Sequence, residues 1–162
     1  MAMTVEQAMT QEVESLTPEM TLKEMDRVLL EAGISGAPVL DGGRLVGIAS
    51  RGDVIRILYR EQKQAQRVKD SLDSPFPISL PSLEHLAQDS RKIADHMIKT
   101  KVSEVMSVDP VSVNPHVTVD YAARLMTVEG IHRLPVVENG ELVGILSTLD
   151  IVALVGRLGL AD

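Results

Sequence analysis

Gly130-Ile131-His132-Arg133-Leu134-Pro135-Val136-Val137 runs through Glu138-Asn139-Gly140-Glu141 into Leu142-Val143-Gly144-Ile145-Leu146-Ser147-Thr148-Leu149-Asp150. Two apolar, β-branched stretches flank an Asn-Gly pair. That pair accepts positive φ and closes a hairpin. The second stretch ends at Ser147, and a helix is expected from Asp150. The same order of residues stands 97 positions earlier. Gly33-Ile34 precedes Pro38-Val39, Asp41-Gly42-Gly43 makes the turn, and Leu45-Val46-Gly47-Ile48 leads to Ser50 and Asp53.

The same offset extends N-terminally without a gap. It puts Val5 on Val102, Met9 on Met106, Pro18 on Pro115 and Thr21 on Thr118. From residue 5 to 55, 17 of 51 positions are identical, so the chain is a duplication. Each copy opens with an extended stretch ending at proline, Glu14–Pro18 and Val111–Pro115, because a residue before proline prefers extended geometry. A helix follows. Thr21-x-x-Glu24 has the capping-box pattern, with Leu22, Met25, Leu29 and Ala32 at helical spacing. Gly33 and Gly130 suit the left-handed residue that stops such a helix. The hairpin and a second helix complete a β-α-β-β-α unit. One unit of about 50 residues is marginal alone, and a pair is adequate.

The chain has 162 residues and a hydrophobic share of 44%, enough for a core. Its only aromatics are Tyr59, Phe76 and Tyr121, so that core is aliphatic and base-stacking surfaces are not expected. The net charge of -7 disfavours nucleic acid as a partner. The absence of cysteine rules out disulfides and thiolate metal sites, and it is compatible with a reducing compartment. No segment approaches the about 18 apolar residues of a membrane span, and the N-terminus has no leader pattern. A soluble, cytoplasmic protein is expected.

The two quoted stretches resemble the signature of the cystathionine-β-synthase (CBS) domain. The resemblance covers roughly residues 3–60 and 102–157, with 61–101 as a helical insert between the repeats. It implies an α/β (α+β) fold in which two units form a pseudo-two-fold pair, often called a Bateman module. It also implies clefts between the units that take adenosine-containing ligands, and a homodimer of modules.

Ser147-x-x-Asp150 and Ser50-x-x-Asp53 sit where a strand gives way to a helix. Capping alone would select these residues. The same geometry also suits a nucleotide. Free N–H groups and the positive helix end attract phosphate, the neighbouring Thr148 hydroxyl adds a donor, and a carboxylate can accept both ribose hydroxyls. The resemblance assigns Asp150 and Asp53 to the ribose and His132-Arg133 to the phosphates. Arg offers a planar fork suited to that task; the bland alternative for the pair is a solvated or ion-paired surface. The first copy has Ser35-Gly36 there, with Arg51 as a compensating cation, so unequal sites are expected and the one around Asp150 should be the better. By the same resemblance Thr17 and Asn114 lie near the ligand, and Leu22 and Val119 wall the adenine. Core packing is the competing reading for Leu22 and Val119.

Within the insert, Ile57–Asp70 reads as a helical continuation. Ser71–Ser82 carries Pro75, Pro77 and Pro81 and reads as a loop. Leu83–Lys99 reads as an amphipathic helix. An insert at this place resembles stand-alone plant CBS-pair proteins that modulate partner proteins. His85, His96 and His116 form no ligand cluster, and Asp89 with His96 on one helix face lacks a third ligand, so no metal is expected. No nucleophile–base set or glycine-rich phosphate loop is present. The reading is a regulatory module, not an enzyme. It requires no cofactor and takes AMP, ADP, ATP or S-adenosylmethionine as regulatory ligand. It signals through dimer geometry or a protein effector, with no membrane partner. The alternative is a ligand-free interaction module that modulates a partner.

Overall fold

A computed structural model describes residues 2–57, 59–60 and 83–158. In chain order the elements are α1 (Val5–Ala8), α2 (Leu22–Glu31), β1 (Gly36–Asp41), β2 (Arg44–Ser50) and α3 (51–57, continuing at 59–60). They continue with α4 (Leu83–Lys99), a 3-10 turn (Val102–Glu104), β3 (Ser107–Val108) and α5 (Val119–Glu129). Last come β4 (Arg133–Glu138), β5 (Glu141–Ser147) and α6 (Thr148–Leu158). The fold is mixed α and β, as expected. Beyond residue 60, the expected helical continuation to Asp70 and the 71–82 loop lie outside the described residues, as do the side chains of His85 and Asp89.

Local chemistry accounts for the repeated elements. Thr21 accepts the Glu24 amide at 3.2 Å and Glu24 accepts the Thr21 amide at 2.8 Å, a completed capping box at the start of α2. The α5 helix starts on Thr118 and stops at Gly130, which adopts φ 65°. The hairpins turn on Gly42-Gly43 (φ 56°, 83°) and Asn139-Gly140 (φ 51°, 86°). Two successive positive φ values match the twist of the flanking strands. In the first copy Asp41 remains in β1, and the two glycines make the turn.

The expected opening strand of each copy is shorter than the sequence suggested. In the second copy it is one parallel bridge, Val113 with Val136. Val113 donates to the Pro135 carbonyl at 3.0 Å and accepts from Val137 at 2.9 Å. Pro115 has no N–H to continue a ladder.

The chain divides into two compact units that are not continuous in sequence. Unit 1 contains residues 1–15, 38–48 and 107–162; unit 2 contains 16–37 and 49–106. In unit 1, Val5 of α1 is wholly buried in a cluster with Val113, Ala122, Met126, Leu134, Val136 and Leu146. Val5 donates to Val117 O at 2.8 Å, and Thr10 exchanges two 2.9 Å bonds with Ile145. The β4–β5 hairpin is antiparallel and shifts register between Val136 and Val137. Unit 2 buries Leu16, Leu22, Met25, Leu29 and Val102. Val102 donates to Met20 O at 2.8 Å, and Leu22 donates to Thr100 O at 3.0 Å. The helix expected at 83–99 is present as α4 and lies against α2. Each copy's leading segment therefore packs with the body of the other copy, which the repeat alone did not reveal.

Candidate functional site

Each copy builds the same corner at the end of its hairpin. The first helical residue donates to the carbonyl of the residue just before the hairpin's first strand. Thr148 N bonds His132 O at 3.0 Å, and Arg51 N bonds Ser35 O at 3.0 Å. This clamps the helix start to the sheet and presents the acid of its first turn.

In unit 1, Asp150 Oδ2 accepts from both Ser147 N and Ser147 Oγ at 2.7 Å. Ser147 Oγ in turn accepts the Asp150 amide at 3.2 Å. In unit 2, Asp53 Oδ2 accepts from Ser50 N at 2.8 Å and Ser50 Oγ at 2.7 Å. Both carboxylates thus complete a helix cap, and this fixes their orientation. One oxygen of each is used in that way.

The corners differ in charge. Asp53 is 7% exposed, and its Oδ1 pairs with Arg56 Nη2 at 3.0 Å. Asp150 is half-buried, and position 153, the repeat counterpart of Arg56, is alanine. Among the described residues no cation pairs with Asp150. Arg51 does not stand over Asp53: its Nε binds Asp26 Oδ1 at 2.9 Å. The counterparts of that pair are Thr148 and Ala123. In unit 1 the same place is a hollow of about 410 Å³, lined mostly by apolar groups of Ala123, Met126, Ile131, Ile151 and Val152, with His132 and Thr148 also lining it.

The remaining expected site residues are placed as follows. Arg133 lies opposite Ser147 in the β4–β5 ladder and is half-buried, and His132 is exposed. Asn114 accepts the His116 amide at 3.0 Å, closing a local turn, and is exposed. Thr17 is exposed, and its carbonyl accepts Met20 N at 3.2 Å. Leu22 is fully buried and Val119 is 8% exposed, as core residues are. Arg56 was not singled out from the sequence. Its signal was available: it stands one helical turn after Asp53, where opposite charges meet.

Among the described residues no group of three or more His, Asp or Glu could hold a metal ion. No described helix is long and apolar enough to cross a membrane.

Comparison with known proteins gives these features a family. The CBS domain model matches residues 5–60 and 102–157. The chain belongs to the CBS-domain family. It is 32% identical over 137 residues to the uncharacterised protein MJ1426 of Methanocaldococcus jannaschii, covering 81% of this chain and 79% of that one. The CBS domain of a membrane protein from Sphaerobacter thermophilus superposes with a TM-score of 0.69 at 28% identity, over 94% of this chain and 88% of that one. CBSX2 of Arabidopsis thaliana, solved in complex with AMP, superposes with a TM-score of 0.69 at 25% identity, covering 96% of this chain and 98% of that one.

Proposed function

We propose that this protein is a regulatory module that binds an adenine nucleotide, with the better site at the Asp150 corner. The carrying observation is the Asp150 carboxylate, held by Ser147 at the N-terminus of α6 with one oxygen committed and no cation among the described residues paired with it. A fixed carboxylate is a ribose acceptor. The α6 N-terminus and the Thr148 hydroxyl favour phosphate, and His132 and Arg133 supply the flanking donors. The likeness to CBSX2 in complex with AMP supports this ligand class. The module carries out no chemistry of its own.

The ligand's output passes to a second copy of this chain or to a protein effector. The homodimer reading is supported by exposed apolar side chains on α5 and α6. Val128 is 79% exposed, Leu149 77% and Val152 65%. Apolar side chains exposed to this extent are available to an association surface.

Calorimetric titration with AMP, ADP, ATP and S-adenosylmethionine tests the proposal. Binding of at least one of them, with its tighter phase lost on Asp150→Asn, is expected. Absence of heat and of any thermal shift with all four would leave the ligand-free interaction module as the function.

A further inference from the structure

The two copies repeat their framework and differ in where they place cations. Asp53 Oδ1 is 3.0 Å from Arg56 Nη2, on the same helix one turn away. In the second copy the matching residue is Ala153, which is exposed. The oxygen engaged by Arg56 is the one the cap leaves over, since Oδ2 is taken by Ser50. That is the oxygen a ribose hydroxyl would need.

We infer that Arg56 is an internal competitor for the Asp53 carboxylate, and that it makes the first copy the weaker nucleotide site. This rests on the reading that Asp53 and Asp150 are ribose acceptors. A hydroxyl reaching Asp53 Oδ1 must compete with an ion pair in which both partners are charged, and the hydroxyl brings no charge of its own. Among the described residues, Asp150 has no such bond to displace. The Arg56 side chain is itself 60% exposed, so its truncation leaves the core intact.

The sign of the effect separates this role from simple electrostatics. An arginine near a bound anion should tighten binding through its charge. A competitor should loosen it.

Single-site chains make the test direct. Asp150→Asn isolates the first copy and Asp53→Asn the second, and Asn can still accept the capping amide. In the Asp150→Asn chain, adding Arg56→Ala should tighten AMP and adenosine binding about fivefold, the worth of an exposed ion pair. In the Asp53→Asn chain, adding Ala153→Arg should weaken both ligands by about the same factor. Thermal melts establish that each variant is folded. Unchanged or weakened binding on Arg56→Ala, or unchanged or tightened binding on Ala153→Arg, overturns the inference. So does a first copy that binds neither ligand with or without Arg56. If the second copy still binds AMP in that case, the proposed function stands and only the competitor role falls. If no chain binds any ligand, both fall.

Discussion

Ser147 gives Asp150 two hydrogen bonds at 2.7 Å, one from its amide and one from its hydroxyl, and both end on the same carboxylate oxygen. Oδ2 holds the helix start, and under the proposed function Oδ1 is the oxygen left for the ligand.

Two substitutions at Asp150 should therefore part company. Asp150→Asn keeps an acceptor for the Ser147 amide and should melt within about 0.5 kcal/mol of the wild type, while losing nucleotide binding at the second copy. Asp150→Ala should lose binding at the second copy and about 1 kcal/mol of stability through the broken cap. Urea denaturation and calorimetry on the same preparations read both quantities.

The Thr21–Glu24 box predicts a pH dependence. The Thr21 amide, then its hydroxyl, hold the Glu24 carboxyl below its ordinary value of 4.5. Folding thus favours the ionised form. Its contribution is complete above 4.5 and is lost as pH falls through the lowered folded value. Acid titration of stability should show this loss as pH falls below 4.5, and Glu24→Gln should flatten that part of the curve. Thr21→Ala should cost about 1 kcal/mol at pH 7.

Gly144 sits under the N-terminal segment. A Cβ built there meets the Met9 thioether and lies 3.0 Å from Thr10 O. The Met9 side chain can shift, but the backbone oxygen belongs to the Thr10–Ile145 pairing. Gly144→Ala should destabilise the protein by about 1–3 kcal/mol. Met9→Ala should recover only part of this in a double-mutant cycle.

The exchanged leading segments predict a displaced effect. Val5→Ala removes a wholly buried side chain and should cost about 2 kcal/mol. Hydrogen exchange should rise in β4, β5 and α5 of the second copy, which share unit 1 with Val5. Faster exchange confined to α2 would contradict the exchange of segments.

What the sequence settled by itself was short in range. Capping box, helix stops and hairpin turns depend on residues within a few positions of each other. Thr21 with Glu24, Gly130 and Asn139-Gly140 could therefore be read directly, and the duplication fixed their order twice. The Ser-x-x-Asp corners were legible for the same reason. Tertiary structure alone decided where each leading segment packs, since Val5 and Leu134 meet through burial that no local pattern encodes. It also decided that Arg51 spends its charge on Asp26, 25 residues away, instead of on a ligand. Arg56 lies between these cases. Its spacing from Asp53 was visible, but only the folded corner shows that it takes the oxygen the cap leaves over, because a carboxylate's two oxygens are distinguished by three-dimensional neighbours and not by sequence.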